Sequence, residues 1–124
     1  MTLPELYREI GGDYDQALRV LRVEKLIDKH IRKLPNNGLV ENLLEAGKTM
    51  DPDRLFEAAH AMKGNCANLG LTALSALASD IAEAYRPGNP RTLSEAETAE
   101  KLEQIGDLYR KTAEGIRKYE GAVS

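Results

Sequence analysis

Leu55, Ala59, Met62, Cys66 and Leu69 recur at steps of four, three, four and three. Residues at that spacing share one face of an α-helix. The same period runs through most of the chain. Leu3, Leu6, Tyr7 and Ile10 form one such face, and Tyr14, Ala17, Leu18 and Leu21 form a second. A longer one begins with Val23, Leu26, Ile27, His30, Ile31 and Leu34 and resumes with Leu39, Val40, Leu43, Leu44, Ala46 and Met50. Two more follow, Leu74, Leu77, Ala78, Ile81 and Tyr85, then Ala99, Leu102, Ile105, Tyr109, Ala113 and Ile116. Runs of β-branched residues are absent, while Ala, Leu, Glu and Lys are plentiful, so strands are not expected. The prediction is an all-α chain. Its four long amphipathic segments, with short connections, argue for an antiparallel up-down four-helix bundle with short additional N-terminal helices.

The punctuation supports this division. Thr2 and Glu5 bracket Pro4 as a capping box, and Gly11-Gly12 ends the first helix. Asp13 caps a second short helix through about residue 21. Helices this short rarely stand alone, so they are expected to lid one end of the bundle. Pro35-Asn36-Asn37-Gly38 interrupts the next segment, and a kink within one long helix is the favoured expectation. Asp51 and Pro52 start the following helix, Gly70 is placed to end it in a left-handed cap, and Thr72 is expected to cap its successor. Pro87-Gly88-Asn89-Pro90 is a turn, and Ser94 with Glu97 opens the last helix, expected to fray near Gly121. Residues 1–124 form one domain, with 1–21 as the short helices and 22–119 as the bundle.

Composition narrows the function classes. A chain of 124 residues supports one domain with a real core. Lys and Arg number 17 against 20 Asp and Glu, a net charge of −3, so the basic footprint of a nucleic-acid binder is missing. No stretch has the length and apolarity to cross a bilayer, and no leader pattern opens the chain, which makes a cytoplasmic location the default. The one cysteine, Cys66, falls on the apolar stripe and reads as a buried structural thiol. Glu95, Glu97, Glu100 and Glu103 look like a solvated face, and the chain lacks the two Glu-x-x-His motifs of a di-iron bundle.

At about 100° per residue, His60 points about 130° away from the middle of the 55–69 stripe. Phe56, Lys63, Gly64 and Ala67 lie on its side. An imidazole held on the outer face of an anchored helix is available as a nucleophile. Lys63, one turn on, can offset the charge of a phosphoryl group: at ~4 Å the attraction is about 1 kcal/mol in water and about 4 at an intermediate dielectric. Gly64 leaves clearance at a cost of roughly 1 kcal/mol of helix stability against alanine. No Gly-rich phosphate loop and no paired carboxylates for Mg²⁺ accompany the histidine, so autonomous ATP-dependent kinase activity is not expected.

His60-x-x-Lys63-Gly64, with Gly70 ten residues after the histidine, resembles the signature of histidine-containing phosphotransfer (HPt) domains. Met62 matches the apolar residue the family usually places before the lysine. The resemblance covers residues 56 to 70 as a motif and roughly 23 to 119 as architecture, since the family's core is a four-helix bundle with the histidine on its second long helix. It implies a phosphorelay intermediate: His60 accepts a phosphoryl group through Nε2 from a receiver-domain aspartyl phosphate and passes it to another receiver. The partners implied are receiver domains of a hybrid sensor histidine kinase and of a response regulator. They would supply Mg²⁺, and the chain itself is expected to need no cofactor and no metal. Phe56 and Ala67 would belong to the docking patch, although Phe56 could equally pack on a neighbouring helix.

Blander readings stand beside this one. His60 alone would be an ordinary surface histidine; Lys63, Gly64 and Gly70 together lift it above that. His30 lies on an apolar face and reads as a partly buried, hydrogen-bonded residue rather than a second phosphoacceptor. The alternative function is a non-catalytic helical adaptor that binds receiver domains or other helices, and a metal-binding bundle is a weaker third. A monomer is the default, because the helices need only each other.

Overall fold

The computed structural model describes residues 1–123. They form seven α-helices and one 3-10 turn, with no strand among the described residues: α1 (Leu3–Ile10), α2 (Tyr14–Leu21), α3 (Glu24–Lys33), the turn (Leu34–Asn36), α4 (Leu39–Thr49), α5 (Pro52–Asn68), α6 (Thr72–Ala84) and α7 (Glu95–Val123). The chain is all-α, as the apolar periodicity predicts. α5 packs most extensively on α6 and then on α4, and α7 lies against both α4 and α6. These four helices thus each touch two of the others.

The stripe on α5 is the centre of the core. Leu55, Ala59, Met62 and Cys66 are each no more than 1% exposed, and Leu69 beyond the helix equals them. Burial of a side chain of that size stabilises the fold by about 1.5–3 kcal/mol. The Cys66 thiol is pushed up to about 12 by burial. Among the described residues, no buried side-chain nitrogen or oxygen lacks a hydrogen-bond partner.

Most of the expected caps form. Thr2 Oγ1 accepts from the Glu5 amide while the Glu5 carboxylate accepts from the Thr2 amide. Asp13 accepts from the Gln16 amide and Asp51 from the Asp53 amide. Ser94 and Glu97 complete a second reciprocal box. Gly70 adopts φ 70°, the amide of Leu71 donates to the Cys66 carbonyl, and the amide of Gly70 donates to Ala67. That is the Schellman arrangement, which glycine enters without steric cost.

Several expectations are corrected. Residues 23–50 are two helices, not one kinked helix. Pro35 lies in the 3-10 turn, Gly38 is left-handed at φ 77°, and Asn37 Oδ1 accepts the Leu39 amide, so the hydrogen-bond ladder stops and restarts. Leu71, not Thr72, is the N-cap of α6, and it makes no side-chain cap bond. Val23 and Leu26 are 50% and 39% exposed, because α3 turns Ile27 and Ile31 inward instead. On α7 it is Thr98 and not Ala99 that faces inward, its hydroxyl shared with Tyr85 and with the Ser94 carbonyl. The last helix continues through Gly121 to Val123.

The N-terminal helices are part of the core rather than ornament. Leu3, Leu6, Tyr7 and Ala17 are at most 3% exposed. α1 rests on α7, and α2 on α3 and α5. The Tyr7 hydroxyl donates to the Leu69 carbonyl at 2.6 Å, and the Asp13 amide donates to the Gly70 carbonyl at 2.7 Å. A Cβ on Gly70 would run into the Asp13 carbonyl. Burial raises the Tyr7 phenol above its usual range, and it pushes Tyr109 and Tyr119 up to about 12, with help from Glu41 and Asp28 respectively.

Two outcomes follow. Gly70→Ala should lose at least about 1–2 kcal/mol from its left-handed backbone alone, and more from displacement of Asp13; urea unfolding measures it, and a loss below ~0.5 kcal/mol would show that the corner is not locked. Acid groups whose pKa is raised by folding contribute stability below their unfolded pKa, here 9.0 for Cys66 and 10.0 for the tyrosines. That contribution fades as pH climbs from there toward the folded values. Urea midpoints should therefore fall between pH 8.5 and 11 (about the unfolded range), and a flat profile would contradict the burial of these groups.

Candidate functional site

α5 starts at the Asp51 cap and is clamped through its inner stripe, so its outer face is set by helical phase. His60 is exposed on that face. Its ring stacks on Phe56, one turn earlier, with centroids 5.6 Å apart and planes at 19°. Phe56 is half-buried and packs against the core, and the Arg86 guanidinium lies 5.4 Å from its ring centroid. Phe56 thus packs inward with one part of its ring while it stacks on the imidazole.

Charge around the imidazole comes from two helices. Lys63 is half-buried and makes no ion pair among the described residues. Its carbonyl accepts a hydrogen bond from the Ser75 hydroxyl at 3.1 Å, which ties α5 to α6 at this level. From α6, Glu83 pairs with Arg86 at 2.6 Å. The Glu83 carboxyl is held below its ordinary value, first by its hydrogen bond from Arg86, then by the charges of Arg86, Lys63 and His60. Glu83 and Arg86 escape sequence reasoning. Their three-residue spacing reads as an ordinary surface pair on a helix, and nothing local ties them to His60.

Gly64 is exposed, and a Cβ built on it would meet nothing within 4 Å. Neither backbone conformation nor internal packing calls for glycine there. Ala67 is half-buried one turn further, and the helix ends at Leu69 and Gly70 beneath the α1–α2 corner. Gly70 is therefore structural: it stands at the end of α5 and not beside the imidazole. His30 is elsewhere. It is half-buried in a hollow of about 110 Å³ with Leu21, Asn65, Asn68 and Leu69, and no hydrogen bond from a described residue reaches its ring, contrary to the expected one. Among the described residues no group of three or more His, Cys, Asp or Glu could hold a metal, and no helix is long and apolar enough to cross a membrane.

An exposed imidazole, a neighbouring ammonium with no ion pair among the described residues and a bare helix surface can take up a phosphoryl group and present it. The family model of the Hpt domain matches residues 25–115. The chain belongs to the Hpt domain family. No curated protein and no solved structure matched it. Hpt domains are phosphotransfer modules of two-component phosphorelays and not kinases, and receiver domains are their partners. The matched span contains α5 with His60, Lys63, Gly64 and Gly70, and leaves α1 and α2 outside it.

Because this Hpt domain has free space at Gly64, Gly64→Ala should stabilise it, by up to about 1 kcal/mol. Thermal or urea unfolding checks the sign. Destabilisation would mean that the glycine serves the fold itself.

Proposed function

We propose that this Hpt domain is a phosphorelay intermediate that carries the phosphoryl group on His60. The observation that carries the reading is the exposure of His60 on a helix whose opposite face is fully buried. The donor is the aspartyl phosphate of a receiver domain on a hybrid sensor kinase, and the acceptor is the receiver of a response regulator. The unprotonated ring nitrogen, taken as Nε2, attacks phosphorus with its lone pair. An N–P bond forms as the P–O bond to aspartate breaks, and the aspartate carboxylate leaves with the electron pair. The reverse sequence loads the second receiver. Mg²⁺ belongs to the receiver's site in this scheme, and the chain brings no cofactor of its own.

Each neighbour has a role in this scheme. The stacked Phe56 ring limits the rotamers of the imidazole, so less freedom is lost on reaching the transfer geometry. Lys63 balances the phosphoryl charge. Gly64 lets the receiver's active site approach the ring closely. Ala67 extends the contact surface. A cytoplasmic, monomeric protein suits this task, since cytoplasmic receivers must reach the same face in turn.

The test is phosphoryl transfer from a receiver domain charged with acetyl phosphate and Mg²⁺. Wild-type protein should acquire an acid-labile, alkali-stable label that His60→Gln lacks. Equal labelling of that variant would remove His60 from the scheme. Lys63→Ala should still be labelled, at a rate lower by about tenfold, equivalent to about 1.4 kcal/mol. If His60→Gln instead left partner binding and pathway output intact, the chain would be an adaptor without chemistry.

A further inference from the structure

A groove of about 360 Å³ runs along the same face, away from His60. Lys63 and Ala67 of α5 form one wall, and Thr72, Ser75, Ala76 and Ser79 of α6 the other. Asp13 and Gln16, at the start of α2, close its far end. Lys63 therefore belongs to both the imidazole's surroundings and the groove. We propose that the α1–α2 corner is a receiver-recognition element of this chain, with Asp13 and Gln16 helping to determine which receivers dock over His60. This inference rests on the phosphorelay reading above and adds a specificity determinant to it.

The size of a protein contact supports the assignment. A transient interface of about 600 Å² per partner, if roughly circular, has a radius of about 14 Å. Ala67 lies seven residues beyond His60, which is about 10 Å along the helix axis. A receiver centred on the imidazole thus covers the groove as far as Ala67, and Asp13, bonded to Gly70 ten residues beyond His60, lies about 15 Å along the axis, at the edge of that footprint. The occupant is the receiver itself, because its aspartate must sit against His60 while the rest of its surface spreads along α5 and α6.

The corner is also built to present a fixed surface. The Tyr7 hydroxyl and the Asp13 amide bind the first carbonyls beyond α5, at Leu69 and Gly70. α2 is thereby held in register with the helix that carries the imidazole. Asp13 uses its carboxylate to cap α2, and Gln16 Oε1 accepts from Arg19 at 2.8 Å. The side-chain NH₂ of Gln16 makes no hydrogen bond among the described residues, so it remains free to donate to a partner. Lys63 provides positive charge at one end of the groove and Asp13 negative charge at the other, which gives the contact a polarity. Residues 1–24 lie outside the family match, so Asp13 and Gln16 are what this chain adds to the shared module.

Two variants test the proposal without touching the core: Gln16→Arg at the rim, and Ala76→Arg on the exposed surface of α6. Full-length protein is assayed with a panel of isolated receiver domains, each charged with acetyl phosphate and Mg²⁺, and circular dichroism checks that helicity is retained. Each variant should raise KM by about tenfold with at least one receiver, with kcat kept within about twofold. The rise should differ between receivers. If Gln16→Arg matches wild type with every receiver that labels His60, the corner has no recognition role, whatever Ala76→Arg does on α6, and the relay reading stands. A uniform fall in kcat with unchanged KM also overturns the proposal. Absence of label on wild type from any receiver would defeat the relay reading itself, and this inference with it.

Discussion

The end of α5 is where this molecule is held together. The carbonyls just past it, at Leu69 and Gly70, point into the α1–α2 corner, where Tyr7 and Asp13 satisfy them, and Gly70 is small enough and suitably turned to let the two backbones meet. Buried polar groups must find partners or cost the fold free energy. Here the partners come from sixty residues away in sequence. That contact fixes the axis of α5 from one end while its inner stripe fixes the rotation. The outer face, with His60, inherits both constraints.

The site follows from this anchoring with little further construction. The imidazole is oriented by stacking on a neighbour of its own helix, and its electrostatic surroundings are completed by α6. α6 is positioned by a short connection and by the Ser75–Lys63 hydrogen bond. In the proposed relay this chain supplies the nucleophile and the docking surface, and the receiver the rest of the chemistry. Rigid presentation is therefore what this fold contributes.

Much of this is legible in the sequence, and the reason is periodicity. Caps such as Thr2, Asp13, Asp51 and Ser94 act within three residues, so local spacing reveals them. The stripe on α5 and the placement of His60 opposite it follow from helical phase alone. Legibility fails where tertiary contacts decide. Pro35 could equally have kinked a continuous helix; the left-handed Gly38 and the Asn37 side chain settle the outcome as a break. Val23 and Leu26 satisfy the apolar pattern, yet α3 packs through Ile27 and Ile31. Thr98 is polar by type, and its hydrogen bonds with Tyr85 across the turn and with the Ser94 carbonyl let it lie in the interior. Glu83 and Arg86 reach the imidazole's surroundings across a helix–helix interface that no local spacing encodes.

On α5 the residues that secure the fold and those displayed to a visitor occupy opposite sides of one cylinder. Free energy of folding is stored on the inner side, whereas the open space at Gly64 and the exposed positions around it contribute almost nothing to it. Substitutions at the fully exposed positions of the outer side, glycine apart, are consequently close to neutral for stability. After gene duplication, such a chain can drift toward new partners without first losing its structure. Insulation between parallel signalling routes is then a matter of surface wording, free of any requirement to rebuild the interior.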